Sequence, residues 1–313
     1  MARRRKGDPV HGWIALDKPE GLGSTAAASR VRRLFGAQKA GHAGTLDPLA
    51  NGVLPIALGE ATKTIPFMVD AEKGYRFTIA WGESTAGGDR EGEAVASSHV
   101  RPAPAAVEAA LPAFVGEIEQ VPPAYSASKV EGRRAYDLAR AGQAPELPAR
   151  TVSIHSAAVT AAPDPDHVEI EIACGKGTYV RALARDLAAA LGACGHVSAL
   201  RRTRVGVFTE AATVTLADLE RLVYEERGSE ALLPVETALD GIPALALTDE
   251  EAFSLKQGRP VVLLPRQVES LRERLQGDQR TVSATAGGRP VALCEMRAGR
   301  LNPVRVFNLD AGD

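Results

Sequence analysis

Three cysteines in 313 residues, Cys174, Cys194 and Cys294, are few and odd in number, and they lack a paired metal-ligand spacing. They fit a reducing cytoplasm, with buried small hydrophobes as their default role. The six histidines form no HxxxH pattern, so neither a metal nor another cofactor is expected. No run of about 18 apolar residues exists, which excludes a membrane-spanning helix. The basic start, Met1-Ala2-Arg3-Arg4-Arg5-Lys6, leads into no apolar stretch, which argues against a secretory signal. A glycine-rich phosphate loop and a dinucleotide fingerprint are missing too, so no nucleotide-driven chemistry is indicated.

Net positive charge is also lacking: the balance is −2. Divided along the chain, however, the charge is segregated. From Lys176 to Arg204 six basic residues (Lys176, Arg181, Arg185, Arg201, Arg202, Arg204) face one acid, Asp186. From Thr215 to Glu251 ten acids face Arg221 and Arg227. Such a division suits a protein with one face toward phosphates, although a solvated helix face gives the same count.

What is present is a loop dense in glycine and proline with one carboxylate at its centre, Gly41-His42-Ala43-Gly44-Thr45-Leu46-Asp47-Pro48-Leu49-Ala50-Asn51-Gly52-Val53-Leu54-Pro55. Taken alone, Asp47-Pro48 reads as a helix start, with Asp as cap and Pro at the first position. The whole string closely resembles the signature loop of the TruB family of tRNA pseudouridine synthases, Gly-His-Thr-Gly-Thr-Leu-Asp-Pro followed by Gly-Val-Leu-Pro, and departs from it only at Ala43. The resemblance implies that Asp47 is the catalytic nucleophile, and His42, next to it, is expected to occupy the space the target base vacates or to stack on a displaced base.

Upstream, Trp13-Ile14-Ala15-Leu16 reads as a strand ending in Asp17-Lys18-Pro19. Ser24 or Thr25 then caps a helix whose apolar positions Ala27, Ala28, Val31, Leu34 and Phe35 repeat at helical spacing, with Gly36 as its stop. Lys18 and Pro19 match the family's first motif and are expected to support the loop. Downstream, Gly59 to Lys63 starts a second helix. Tyr75-Arg76-Phe77-Thr78-Ile79-Ala80-Trp81 alternates as a half-buried strand. On pattern Tyr75 is core, while the family resemblance makes it the ring that stacks on the target uracil and a candidate for proton transfer. Gly87 replaces the second threonine of the family's Thr-x-Thr-x-Asp-x-x-Gly, which is expected to loosen that loop and leave the chemistry untouched.

Pro104 to Val115 reads as a helix with Val107, Leu111, Phe114 and Val115 inward. The stretch from about 121 to 150 resembles the family's insertion that grips the tRNA arm. Its candidate RNA contacts are Lys129, Arg133 and Arg134, the last two in a short helix with Tyr136 and Arg140. A second motif follows: the strand His167–Ala173, the turn Cys174-Gly175-Lys176-Gly177-Thr178, and a helix capped by Thr178 with the stripe Val180, Leu183, Ala184, Leu187 and Leu191, ending at Gly192. Lys-Gly-Thr-Tyr-Val-Arg here is similar to the family's Lys-Gly-Thr-Tyr-Ile-Arg. It implies that Arg181 pairs with Asp47, that Tyr179 covers the uracil and that Lys176 meets RNA. His196 to Arg202 resembles His-x-x-x-Leu-Arg-Arg, so Leu200 is expected to close the pocket and Arg201 and Arg202 to contact RNA.

The tail reads as a separate unit. Thr215 caps an acidic helix ending at Gly228, Thr248 and Glu251 form a capping box, and three strands lie near 282–285, 291–296 and 304–307. The expected fold is α+β: a pseudouridine-synthase catalytic core over residues 11–235, with a mixed, mainly antiparallel central sheet flanked by helices, a disordered basic arm over 1–10, and a small PUA-like β-barrel over 242–313. The resemblance implies isomerisation of uridine 55 in the tRNA T-loop by a cytoplasmic enzyme that needs no cofactor, obligate protein partner or membrane. Two other readings are a non-catalytic tRNA-folding protein, which would lack the nucleophile, and the catalytic subunit of a guide-RNA-dependent complex, which carries longer flanking extensions.

Overall fold

Period-two burial builds the centre of the molecule: one face of Lys73–Trp81 buries Phe77, Ile79 and Trp81, and Val168, Ile170 and Ile172 of His167–Cys174 do the same alongside. The structure is a computed structural model describing residues 7–123, 125, 129–130, 133–134, 147–277 and 279–309. In chain order the main sheet uses β1 (Gly12–Lys18), β2 (Ala40–His42), β3 (Asn51–Leu58), β4 (Lys73–Trp81), β5 (Gly116–Gln120), β6 (Arg150–Asp164), β7 (His167–Cys174), β8 (Gly195–Val205), β9 (Phe208–Thr209) and β10 (Val214–Thr215). Across the sheet the order is β10-β1-β3-β8-β4-β7-β6-β5, with β9 on β8 and β2 on β3. Only the β10–β1 and β8–β3 pairs are parallel, so the sheet is mixed and mainly antiparallel, as expected.

Helices cover it according to their apolar stripes. Val180–Ala190 (α4, after α1 Ser24–Leu34, α2 Ile65–Asp70 and α3 Pro104–Ala110) seats Val180, Leu183, Ala184 and Leu187 against Phe77, Ile79 and Ile170. Ala27, Ala28 and Val31 of α1 pack on Leu54 and Ile56 of β3. Each set of side chains recurs at three and four residues, the spacing that puts them on one face of a helix. Among the described residues no helix is long and apolar enough to cross a membrane.

Several local expectations are corrected. Neither Ser24 nor Thr25 caps α1, because Gly23 holds that position and the Ser24 hydroxyl is used elsewhere. The cap of α4 is Tyr179 rather than Thr178, whose hydroxyl donates to the Gly175 carbonyl (3.2 Å). Gly59–Lys63 is a 3-10 turn, with the α-helix beginning at Ile65. Pro112 ends α3 early, so Leu111–Phe114 is also 3-10 and Val115 points outward at 41% exposure. Of the arm expected over 1–10, residues 1–6 lie outside the described ones, and Asp8 is already tied to the end of α1: its amide donates to Gly36 O and its carbonyl accepts from Gln38 N. Arg133 and Arg134 lie in a two-residue strand paired with Lys129–Val130, not in a helix; Tyr136 and Arg140 lie outside the described residues.

The tail has its own curled sheet, a half-barrel of β11 (Ala244–Ala246), β12 (Val261–Val262), β13 (Thr281–Ala286), β14 (Arg289–Arg297) and β15 (Arg300–Val306), in the order β11-β13-β14-β15-β12. The acidic helix α5 (Leu216–Tyr224) is capped by Thr215 and stops short of Gly228. In α6 (Asp249–Lys256) the Thr248–Glu251 capping box is complete, and α7 (Pro265–Arg274), an element beyond those expected, packs Leu271 into the same small core. This unit is less separate than expected. Leu293 and Phe307 share one cluster with Trp13, Val53, Met68 and Phe208, Lys63 Nζ donates to Val306 O (2.6 Å), and Asn308 N donates to Glu60 Oε2 (2.8 Å).

Beside the signature loop, β3 and β8 approach so closely that Gly52, at φ +99°, has room for no side chain: a Cβ there would lie 2.3 Å from the Arg202 carbonyl oxygen. Gly52→Ala is therefore expected to lower the unfolding free energy by at least about 2 kcal/mol in urea titration. An unchanged midpoint would mean that the strands part without cost.

Candidate active site

The signature loop enters from β2 and leaves into β3, and three buried polar side chains hold its backbone. Ser24 Oγ donates to Leu46 O and accepts from Leu46 N, both at 2.8 Å. Lys18, fully buried, donates to Leu22 O (2.6 Å), Pro19 O (3.0 Å) and Pro48 O (3.3 Å). Arg202, 1% exposed, donates from Nε to Val53 O (2.8 Å) and from its two terminal nitrogens to Gly44 O (3.1 Å) and Thr45 O (3.4 Å). Carbonyls turned away from water thus receive donors that a loop cannot supply to itself. No helix starts at Asp47-Pro48. The pair opens a turn closed by Ala50 N donating to Asp47 O (3.1 Å), with Pro48 in the position where its fixed φ is favourable.

Arg181 reaches this loop from the first turn of α4. Its Nη2 lies 2.8 Å from Asp47 Oδ2 and also donates to Tyr125 O (2.9 Å), while Nη1 donates to Gly87 O (2.8 Å) and lies 3.2 Å from Asp89 Oδ2. The guanidinium is 5% exposed, Asp89 9% and Asp47 36%. A buried fork with two carboxylates and two carbonyls has few ways to turn, so the remaining face of Asp47 is both fixed in direction and open to a ligand.

That face looks into a cleft of about 230 Å³ floored by Asp47, Tyr75, Leu200 and Arg202 and rimmed by Lys73, Lys176 and Tyr179. Register explains the company: Arg202 pairs with Tyr75 and Leu200 with Phe77 across β8–β4, so these four side chains share one face of the sheet. Arg201 pairs with Arg76 and lies on the other face. Burial raises the Tyr75 hydroxyl above its ordinary range, against the pull of nearby Arg202, and keeps it protonated at neutral pH. Lys73 is held by the Val69 and Ala71 carbonyls at the end of α2, and burial lowers its ammonium to about 8.

Residues 32–180 match the family model described as TruB family pseudouridylate synthase (N terminal domain), and residues 181–240 the tRNA pseudouridylate synthase B C-terminal domain. Proteins named tRNA pseudouridine synthase B from Caulobacter sp. (strain K31) and Caulobacter vibrioides are 70% and 67% identical over 309 residues, 99% of this chain and 100% of each relative. The chain belongs to the TruB family. As a member it is a pseudouridine synthase, an isomerase. A solved Cbf5-Nop10-Gar1 complex contains a chain with the same fold, at TM-score 0.71 and 26% identity over 95% of this chain and 84% of that one. An H/ACA RNP bound to a substrate RNA containing 2'-deoxyuridine adds a fold likeness at TM-score 0.72 and 22% identity, covering 99% and 92%.

Of the residues expected at a TruB site, the structure brings Asp47, Arg181, Tyr75, Tyr179, Leu200 and Lys176 around one cleft. Lys176 stands at its rim, its side chain 66% exposed and 2.9 Å from Asp70. His42 does not line the cleft: it pairs with Ile56 on β3, its Nδ1 is buried without a partner among the described residues, and burial beside Arg202 lowers its pKa, which keeps the ring neutral. Arg202 was expected on RNA and is instead occupied by loop carbonyls, out of reach of solvent. Arg201 likewise is taken by Asp17 (3.1 Å), Asn51 (3.0 Å) and Glu210. Side chains of Lys129, Arg133 and Arg134 fall outside what is described.

Two contributors were missed. The 85–92 loop is no bystander, because Asp89 is the second carboxylate on Arg181 and Gly87 supplies a carbonyl. Lys73 precedes the alternating stretch that begins at Tyr75. Being two residues earlier on β4, it shares Tyr75's face, and that spacing was the available signal.

Lys18 and Lys73 both fall to about 8 on burial from 10.5. From about pH 8 upward the unfolded chain therefore binds more protons than the folded one at these positions, and stability from them rises with pH. In Lys73→Met the slope of unfolding free energy between pH 8 and 9, below the range where Tyr75 ionises, is expected to drop by up to about 1.4 kcal/mol per pH unit. A slope equal to that of the native sequence would mean that Lys73 stays charged and solvated in the fold.

Proposed function

We propose that this protein converts uridine 55 in the T-loop of tRNA to pseudouridine in the cytoplasm, acting alone and without a cofactor, with Asp47 as the nucleophile. The observation that carries the reading is the 2.8 Å contact between Asp47 and Arg181 at the edge of an open cleft. The names of the Caulobacter relatives support tRNA as the substrate.

The isomerisation breaks the bond between ribose C1′ and uracil N1 and makes one between C1′ and C5. The C5 hydrogen leaves as a proton and N1 ends protonated, so no electrons are exchanged with a third party. Arg181, 2.8 Å from its Oδ2, aims the Asp47 carboxylate, whether that group attacks ribose C1′ or uracil C6. The detached uracil must turn over without escaping. Tyr75 and Leu200 form its two walls and Tyr179 its cover, with Tyr75, held protonated by burial, as the candidate relay for the proton.

Reaching the cleft requires the target base to leave its stack, at a cost of a few kcal/mol that a loop nucleotide meets more readily than a paired one. His42, at the start of the signature loop and outside the cleft lining, takes the space the base vacates or stacks on a displaced base once the RNA is bound. Lys176 at the rim and the 121–150 insertion, with Lys129, Arg133 and Arg134, supply contacts to the T-arm backbone, and the C-terminal unit expected over 242–313, whose half-barrel strands lie between Ala244 and Val306, is a PUA-like RNA-binding unit.

The test uses the purified protein and an unmodified T-arm hairpin, with pseudouridine read by mass spectrometry after nuclease digestion. The native sequence is expected to convert the hairpin unaided, and Asp47→Asn to give no detectable turnover while Kd for the hairpin stays within about twofold. Binding and turnover lost together would make Asp47 a structural residue. A need for an added guide RNA would favour the guide-dependent class.

A further inference from the structure

Both ends of the 121–150 insertion meet on Tyr179. Gln120 closes β5 and Arg150 opens β6, and the two are register partners across that strand pair. Gln120, 1% exposed, accepts through Oε1 a hydrogen bond from the Tyr179 amide (2.9 Å), and Arg150 places its guanidinium carbon 5.5 Å from the centre of the Tyr179 ring. Tyr179 is the cap residue of α4, the helix whose second residue is Arg181.

The segment that leaves Gln120 stays on the same helix. Arg185 Nη2 donates to Val121 O (3.0 Å), and Arg181 Nη2 donates to Tyr125 O (2.9 Å). That last nitrogen is the one that contacts Asp47. One guanidinium nitrogen therefore serves both the insertion's backbone and the catalytic carboxylate, and its direction depends on where both sit.

We propose that Gln120 is a positioning residue: by fixing the Tyr179 amide it locks the root of the insertion onto the start of α4 and so sets the aim of Arg181 at Asp47. The proposal rests on the reading of 121–150 as the RNA-gripping segment. It assigns that segment a second task, since RNA held by the insertion and the arginine that aims the nucleophile share one mechanical root. Gln120 uses only its acceptor, because its Nε2 has no partner among the described residues. Without that acceptor the helix start loses one of the few partners available to its free amides, and a misaimed catalytic group is costly even when displaced by little.

Two near-isosteric variants separate the acceptor from the bulk of the side chain: Gln120→Met removes the oxygen, and Gln120→Glu keeps it. In Gln120→Met the single-turnover rate on the T-arm hairpin is expected to fall at least about tenfold, with Kd within about twofold. Amide exchange at Tyr179, followed by NMR, should accelerate about tenfold or more while the amides deeper in α4 keep their protection. Gln120→Glu should retain both the rate and the protection. The proposal is overturned by Gln120→Met turning over at the native rate, by equal damage from Gln120→Glu, or by rate and binding falling together. Exchange at Tyr179 is read without turnover. An inactive native protein would thus count against the proposed function, and unchanged exchange in Gln120→Met against the positioning role.

Discussion

A single buried guanidinium orders the centre of this molecule. Arg181 sits between Asp47 and Asp89 at 5% exposure and binds the carbonyls of Gly87 and Tyr125 as well. Three segments far apart in the chain, the signature loop, the 85–92 loop and the root of the insertion, converge on the two terminal nitrogens of a guanidinium carried by helix α4. Burying such a charge is unfavourable unless every donor finds a partner, so removing any one partner disturbs the others. A planar fork meets this demand where a lysine would present only a point charge.

Around that pair the protein invests its other buried cations in backbone. Lys18 and Arg202 are nearly inaccessible, and their donors go to backbone carbonyls rather than to carboxylates: Arg202 to Gly44, Thr45 and Val53 of the signature loop, and Lys18 to Pro48 of that loop and to Pro19 and Leu22 beside it. A loop rich in glycine and proline cannot bond its own carbonyls in a regular ladder, and these side chains replace the ladder. The result is a rigid presentation of Asp47 on an irregular segment, which a catalytic group needs and a loop does not ordinarily provide. The same use of cations explains why a basic stretch of sequence does not make an equally basic surface: Arg181 and Arg202 are buried, and the half-buried Arg201 is neutralised by Asp17 and Glu210.

The half-barrel is coupled to this arrangement through packing. Phe307 and Leu293 enter the cluster that holds Trp13 and Val53, and Glu60 and Lys63, just beyond β3, bind the chain around Val306 and Asn308. The C-terminal sheet thus packs directly beside β3, the strand into which the signature loop leads.

Local pattern by itself determined a good deal here. The alternating strands β4 and β7, the stripe of α4 and its stop at Gly192, and the Thr248 capping box all follow from interactions within a few residues, which is why they were legible. Motif resemblance added the identity of the site, and Asp47 and Arg181 meet as it implied. Tertiary structure alone decided the rest. Whether Arg202 would face RNA or the loop depended on which side of β8 it occupied once a bulge had shifted the register. Ser24 left its helix cap because Leu46, 22 residues away, offered both a donor and an acceptor. Asp89 meets Arg181, and Gln120 the Tyr179 amide, across 92 and 59 positions of sequence. Charges and amides have no period in sequence. Their partners are chosen by where the folded chain leaves an unsatisfied group, and that is settled only when distant segments close on one another.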